Sequence, residues 1–220
     1  MYKKISLIPS AVICCFFLIG IISCNYKQDS YELSRTKEFP YLAPKKKLTI
    51  VLQPFATFTQ ADVVFVATHL RKMYPKVSIK KAINLPQKAY TSARKRYRAD
   101  SLVKFLDRKT EEGFVSVGLT SKDISYTNTK RKVKDFGIMG LYISPGNACV
   151  VSTSRLRGAN RKEKLLKVVI HELGHTQGLP HCPVQTCFMK DAAGKDSLNN
   201  QHAFCPKCKK VMKNAGWMLH

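Results

Sequence analysis

Asn160-Arg161-Lys162-Glu163-Lys164-Leu165-Leu166-Lys167-Val168-Val169-Ile170-His171-Glu172-Leu173-Gly174-His175-Thr176-Gln177-Gly178-Leu179-Pro180-His181-Cys182 reads as a helix that carries two metal ligands and then stops to deliver a third. Asn160 stands three residues before Glu163, a capping-box spacing that predicts a helix from about Arg161 onward. His171 and His175 fall one turn apart on one face, where both imidazoles can reach a single Zn²⁺, and Glu172 sits beside that metal without binding it. A straight helix would point residue 181 away. Gly178 can take a positive φ and end the helix, so that His181 swings beneath the metal. Three neutral imidazoles leave a fourth position open, which is the catalytic arrangement. A bare His-Glu-x-x-His also occurs in helices whose histidines only cap or pack; the added Gly178 and His181 argue against that here.

Four cysteines follow: Cys182, Cys187, Cys205 and Cys208. Two of them form Cys-x-x-Cys, and four thiolates in so short a segment suit a closed tetrahedral zinc site that folds the local chain. Two disulfides or a redox pair are the competing readings, the redox one weakest because no thioredoxin-like strand precedes it.

Upstream, Leu48–Leu52 is a β-branched run that Pro54 ends, and Val77–Ile83 alternates, so both read as strands. Val63, Val66, Ala67 and Leu70 recur at helical spacing between Thr59 and Tyr74, as do Leu102, Val103 and Leu106 between Ala99 and Leu106. Phe114–Leu119 and Cys149–Ser152 are further strands, with a glycine-broken strand from Phe136 to Ile143 between them. Alternation of strand and helix predicts an α/β (α+β) fold with helices packed on a mostly parallel sheet. Cys149 reads as a small buried hydrophobe.

The chain has 220 residues, 45% of them apolar, and a formal net charge of +24. Ordinary apolar content and a single long apolar run exclude a disordered tail and a polytopic membrane protein. That run, Ile5–Ser23, follows Lys3 and Lys4 and ends in Ile21-Ile22-Ser23-Cys24, an export signal that also resembles the lipobox of bacterial lipoproteins. An uncleaved membrane anchor is the alternative. The expected organisation is a signal peptide over 1–23, a polar tether over 24–46, and a catalytic domain over 47–220 whose 182–220 segment holds the cysteines. Cys24 carries the lipid in this reading, and the domain lies in the cell envelope outside the cytoplasm. Basic residues are scattered and accompany no aromatic-interleaved RNA-binding motif, so no nucleic-acid partner is expected. Anionic lipid headgroups or a merely solvated basic face account for the charge.

His171 to Cys208 resembles the archaemetzincin signature, His-Glu-x-x-His-x-x-Gly-x-x-His-Cys-x(4)-Cys-x-Met followed by Cys-x-x-Cys. Every ligand position is present, and Met189 stands in the Cys-x-Met place. Leu85-Pro86, Arg94–Leu106, Gly118-Leu119-Thr120, Gly140-Leu141 and Val151–Leu156 are similar to that family in order, so the likeness covers roughly 47–218. It departs at the leader and at Arg96, which replaces a glutamine.

The resemblance implies a compact metzincin-like domain with a twisted mixed sheet and an active-site helix. It implies two zinc ions per chain: a catalytic one on His171, His175 and His181, and a structural one on Cys182, Cys187, Cys205 and Cys208. Met189 would form the Met-turn under the catalytic metal, where the plainer reading is core packing. Phe136–Ile143 would be the antiparallel edge along which substrate adds as a strand; a short edge kept from aggregating is the plainer reading. The expected activity is a zinc metallopeptidase, a monomer acting on peptides, with Glu172 taking the proton of the attacking water. Aminopeptidase activity is linked to the family. The rival is a lipid-anchored basic zinc module that binds anionic polymer without cleaving anything.

Overall fold

A computed structural model describes residues 48–191 and 198–220. All of them belong to one compact unit, Tyr41–His220, while the leader and Cys24 lie outside the described residues. Among the described residues no helix is long and apolar enough to cross a membrane.

The main sheet has five strands in the order β2-β1-β5-β9-β8. β1 (Thr49–Pro54), β2 (Val77–Ile79), β5 (Phe114–Thr120) and β9 (Ala148–Ser152) run parallel. β8 (Gly140–Tyr142) closes one edge antiparallel to β9. α1 (Gln60–Met73) and α3 (Arg161–Thr176) cover one face, and α2 (Ala99–Asp107) covers the other. The period-two alternation of a strand is visible in β9, where Cys149 and Val151 join the α1/α3 core while Ala148 and Val150 join the α2 core. Gly118 on β5 leaves room for α2, since a Cβ there would lie 2.5 Å from Leu106 Cδ1.

α1 begins where Thr59 accepts a hydrogen bond from the Asp62 amide, and Pro75 follows its end. Its first turn is tied to that of α3 by Arg161 Nη2, which reaches both Asp62 carboxylate oxygens at 3.0 and 2.8 Å. The C-terminal segment docks on the far end of α1. There Trp217 packs on Tyr74, with ring centroids 5.4 Å apart, and Met218 N–H bonds the Met73 carbonyl. α4 (Pro206–Asn214) precedes it, with Pro at a first-turn position where no amide is needed.

Three expectations need correction. The strand expected over Val77–Ile83 ends at Ile79, and Ile83 makes only an isolated parallel bridge to Phe55. The segment expected as one strand over Phe136–Ile143 splits at Met139 into β7 (Val133–Ile138) and β8. β7 belongs to a second sheet, β3-β4-β6-β7, built from β3 (Tyr90–Thr91), β4 (Arg96–Arg98) and β6 (Ile124–Asn128). The capping box is not made: Asn160 precedes α3, but its amide nitrogen donates to Asn199 Oδ1 rather than capping the helix.

Candidate metal centre and active site

α3 carries His171 and His175 on its last two turns and ends at Thr176. Gly178 takes φ +89°, as the helix break requires, and the chain returns so that His171, His175 and His181 each offer a ring nitrogen within 4.8 Å of the others. His171 Nδ1 lies 2.7 Å from the Phe188 carbonyl, and His175 Nδ1 lies 2.7 Å from that of Leu179. A carbonyl only accepts, so both Nδ1 atoms carry the proton and both Nε2 atoms present lone pairs.

Those two Nε2 atoms face each other at 3.0 Å. Two lone pairs so placed repel unless a cation lies between them. A proton is disfavoured there, because burial, helped by the charge of His175, holds His171 down at about 4. Burial lowers His175 too. The donor set therefore fits a divalent metal that takes neutral imidazoles. His181 is more exposed and lies with Nδ1 3.7 Å from Asp191 Oδ2. The ring of Tyr142 stacks on that of His175, with planes 9° apart. Neither Tyr142 nor Asp191 stands out in the sequence, because each meets its histidine only through tertiary structure.

Glu172 is 6% exposed and faces β8. Burial pushes its carboxyl up to about 8. Cys149 sits nearby on β9, its thiol held well above the usual range by burial and then by the Glu172 charge. It is a buried thiol outside the ligand set, as expected.

Cys182, Cys187, Cys205 and Cys208 converge with their sulfurs within 4.8 Å of one another, and all are free thiols. Cys182 Sγ and Cys205 Sγ lie 3.7 Å apart, too far for a disulfide. Cys187 Sγ accepts from the amides of Met189 and Cys205, both at 3.4 Å. Burial and the neighbouring Cys187 hold Cys208 well above the usual thiol range. Four thiols that cannot all ionise beside one another fit a dication that neutralises them.

One three-residue turn serves both clusters. Cys187 gives its sulfur to the thiol group, Phe188 its carbonyl to His171, and Met189 its side chain to the underside of α3. Met189 is fully buried, with Sδ 2.3 Å from where a Gly174 Cβ would be. Its carbonyl accepts from the Cys182 amide at 2.8 Å, next to His181.

The model of the family described as Peptidase family M54 matches residues 49–214. The archaemetzincin of Methanopyrus kandleri is 30% identical over 150 residues, which cover 66% of this chain and 82% of that protein. The archaemetzincin of Halobacterium salinarum is 30% identical over 160 residues, covering 66% and 88%. The crystal structure of the M. kandleri protein superimposes with a TM-score of 0.65 at 28% identity, covering 80% of this chain and 99% of that one.

Proposed function

The chain belongs to the archaemetzincins, the zinc metallopeptidases of family M54, and on that premise we propose that His171, His175 and His181 hold its catalytic zinc while Glu172 is the general base. The observation that carries this assignment is the pair of Nε2 lone pairs converging at 3.0 Å on the same end of α3 that carries the buried Glu172. A zinc ion held there supplies Lewis acidity, polarising a carbonyl and acidifying water. Burial alone raises the Glu172 carboxyl to about 8, but the charge of a zinc held there would favour its ionised form, so that Glu172 takes the proton of the attacking water and passes it to the leaving amine. A module that only binds has no use for a carboxylate buried beside an open metal position.

β8 binds the peptide. Met139 O accepts the Ser152 amide on the β9 side, so strand alternation turns the backbone groups of Gly140 and Tyr142 away from β9. An extended substrate adds there as a further strand, its scissile bond brought to the side where Glu172 packs against Gly140. Asp191 orients His181, and the Phe188 and Leu179 carbonyls fix the other two rings. Cys182, Cys187, Cys205 and Cys208 hold the second, structural zinc.

The Ile21-Ile22-Ser23-Cys24 sequence supports a lipid on Cys24 that tethers the enzyme to the cell envelope. An acyl mass on Cys24 checks this, and a wild-type chain that begins at Met1 without one indicates the uncleaved anchor instead.

The decisive experiment incubates protein from Asn25 onward with a mixed peptide library and reads the products by mass spectrometry. Glu172→Gln should keep its zinc and lose about 100-fold or more of the hydrolysis, the low end for removal of a general base. Unchanged hydrolysis would remove Glu172 from the mechanism. The same spectra separate trimming from the N-terminus from internal cleavage.

A further inference from the structure

The second sheet contributes no ligand to either metal cluster, yet it carries a concentrated run of positive charge. β6 and β7 form a hairpin whose tip reads Asn128-Thr129-Lys130-Arg131-Lys132-Val133-Lys134, four cations in five residues. All four are exposed, and Val133 between them is a large apolar side chain 41% exposed. The turn is built rather than slack: the Arg131 amide donates to Asn128 Oδ1 at 3.0 Å, and Lys132 takes φ +54° as its amide bonds the Thr129 carbonyl. From β4, Arg98 braces the base by donating to the Lys134 carbonyl at 2.6 Å and to Thr127 Oγ1 at 3.0 Å.

The acidic groups in and beside this sheet do not offset the tip. Asp100 takes two hydrogen bonds from Arg98 at 3.1 and 3.3 Å, and Asp123 lies between Arg96 and Arg155. Asp135, next to Lys134, has both carboxylate oxygens buried. The exposed charges of the tip itself are all cationic, with the exposed Val133 among them.

We propose that the β6–β7 hairpin is a docking element that seats the catalytic domain on an anionic phospholipid surface. Clustered Lys and Arg are attracted to anionic headgroups, each contributing about fivefold in affinity near the surface. Val133 can enter the headgroup layer as a shallow apolar contact. The choice of lipid over other polyanions rests on the envelope-anchored reading. An anchor at Cys24 leaves 23 residues before Leu48, a length of chain that can reach no more than about 80 Å, so the domain is confined near a bilayer. Lys45, Lys46 and Lys47, the last residues of that tether, add to the attraction without belonging to the hairpin.

The test uses the chain from Asn25 to His220, which keeps the whole compact unit and both hydrophobic clusters and therefore folds without the leader. Co-sedimentation with phosphatidylcholine vesicles containing 30% phosphatidylglycerol, as the probe composition, is compared with pure phosphatidylcholine. Binding to the anionic vesicles only, weakened by salt, is expected. The K130E/R131E/K132E variant should bind about 100-fold or more weakly while hydrolysing peptides at the wild-type rate. Replacing Lys45, Lys46 and Lys47 by Gln should leave anionic-vesicle binding measurable. Equal binding by the hairpin variant, equal binding to neutral vesicles, or complete loss in the tether variant would overturn the proposal. So would hairpin-dependent binding of duplex DNA without vesicle binding. This protein lacks Cys24, so its vesicle binding is independent of the acyl-mass measurement on the full chain, and either can fail alone.

Discussion

Glu172 fills the space that a side chain on Gly140 would need: a Cβ there would lie 2.4 Å from Oε1, 2.8 Å from Cγ and 2.9 Å from Cδ. The edge strand and the carboxylate are thus in contact because one of them is a glycine. Glu172 is buried and cannot swing into water, so Gly140→Ala must displace the carboxylate, the strand or both. A misplacement near 1 Å costs about 100-fold in rate. Gly140→Ala should therefore lose about that much peptide hydrolysis while retaining two zincs per chain by metal analysis. Activity within about threefold of wild type would show that the contact is slack.

Three residues earlier on the same segment the opposite outcome is expected. A Cβ on Gly137 would meet the Arg155 guanidinium at 2.0–2.7 Å, but Arg155 is 35% exposed and can turn outward. Asp123 would keep Arg96, 2.6 Å away. Gly137→Ala should cost less than about 1 kcal/mol, the usual worth of a partly exposed ion pair. Urea unfolding measures this, and a larger loss would make Arg155 a structural clamp.

Both contrasts lie beyond what the sequence can show. Spacing along one helix placed His171 and His175, and Gly178 had to break that helix to bring in His181, so these ligands were legible locally. The four-cysteine cluster was legible for the same reason, since its members follow within a short stretch. The β3-β4-β6-β7 sheet was not. Its strands are short and polar, as in Arg96-Tyr97-Arg98, and β4 finds its parallel partner β6 only across α2 and β5. Asn160 does stand at the N-cap position that spacing assigns it, but its side chain bonds Asn199, a partner 39 residues away, instead of capping α3. The C-terminal helix was hidden because Pro206 sits inside the Cys-x-x-Cys and reads as a breaker, although proline is well tolerated in a first turn.

Met189 should be coupled to α3 through Gly174. Alanine ordinarily stabilises a helix interior over glycine by about 0.5–1 kcal/mol. At Gly174 the new methyl would stand 2.3 Å from Met189 Sδ and 3.1 Å from Cε in a filled core, and overpacking costs about 1–3 kcal/mol. Gly174→Ala should therefore lower stability rather than raise it. In a double-mutant cycle with Met189→Ala the two changes should couple by about 1 kcal/mol or more. Additive effects would mean that Met189 fills core volume without supporting the ligand helix.

Loss of one thiol should reach the catalytic histidines. Cys208 lies at the first turn of α4, buried among Cys182, Cys187 and Cys205. Cys208→Ser removes a thiolate ligand, and serine at neutral pH offers a hydroxyl instead, so the structural zinc should be released. The consequence then runs through the shared turn. Without metal holding Cys187, the Phe188 carbonyl that orients His171 and the Met189 carbonyl that holds the Cys182 amide both lose their fixed position. Wild-type protein should contain two zincs per chain; Cys208→Ser should contain one or fewer, unfold at lower temperature and hydrolyse peptides at least about tenfold more slowly, within the range for loss of an outer support of a metal site. A wild-type mass four hydrogens light with one zinc per chain would establish two disulfides and eliminate the four-thiolate site.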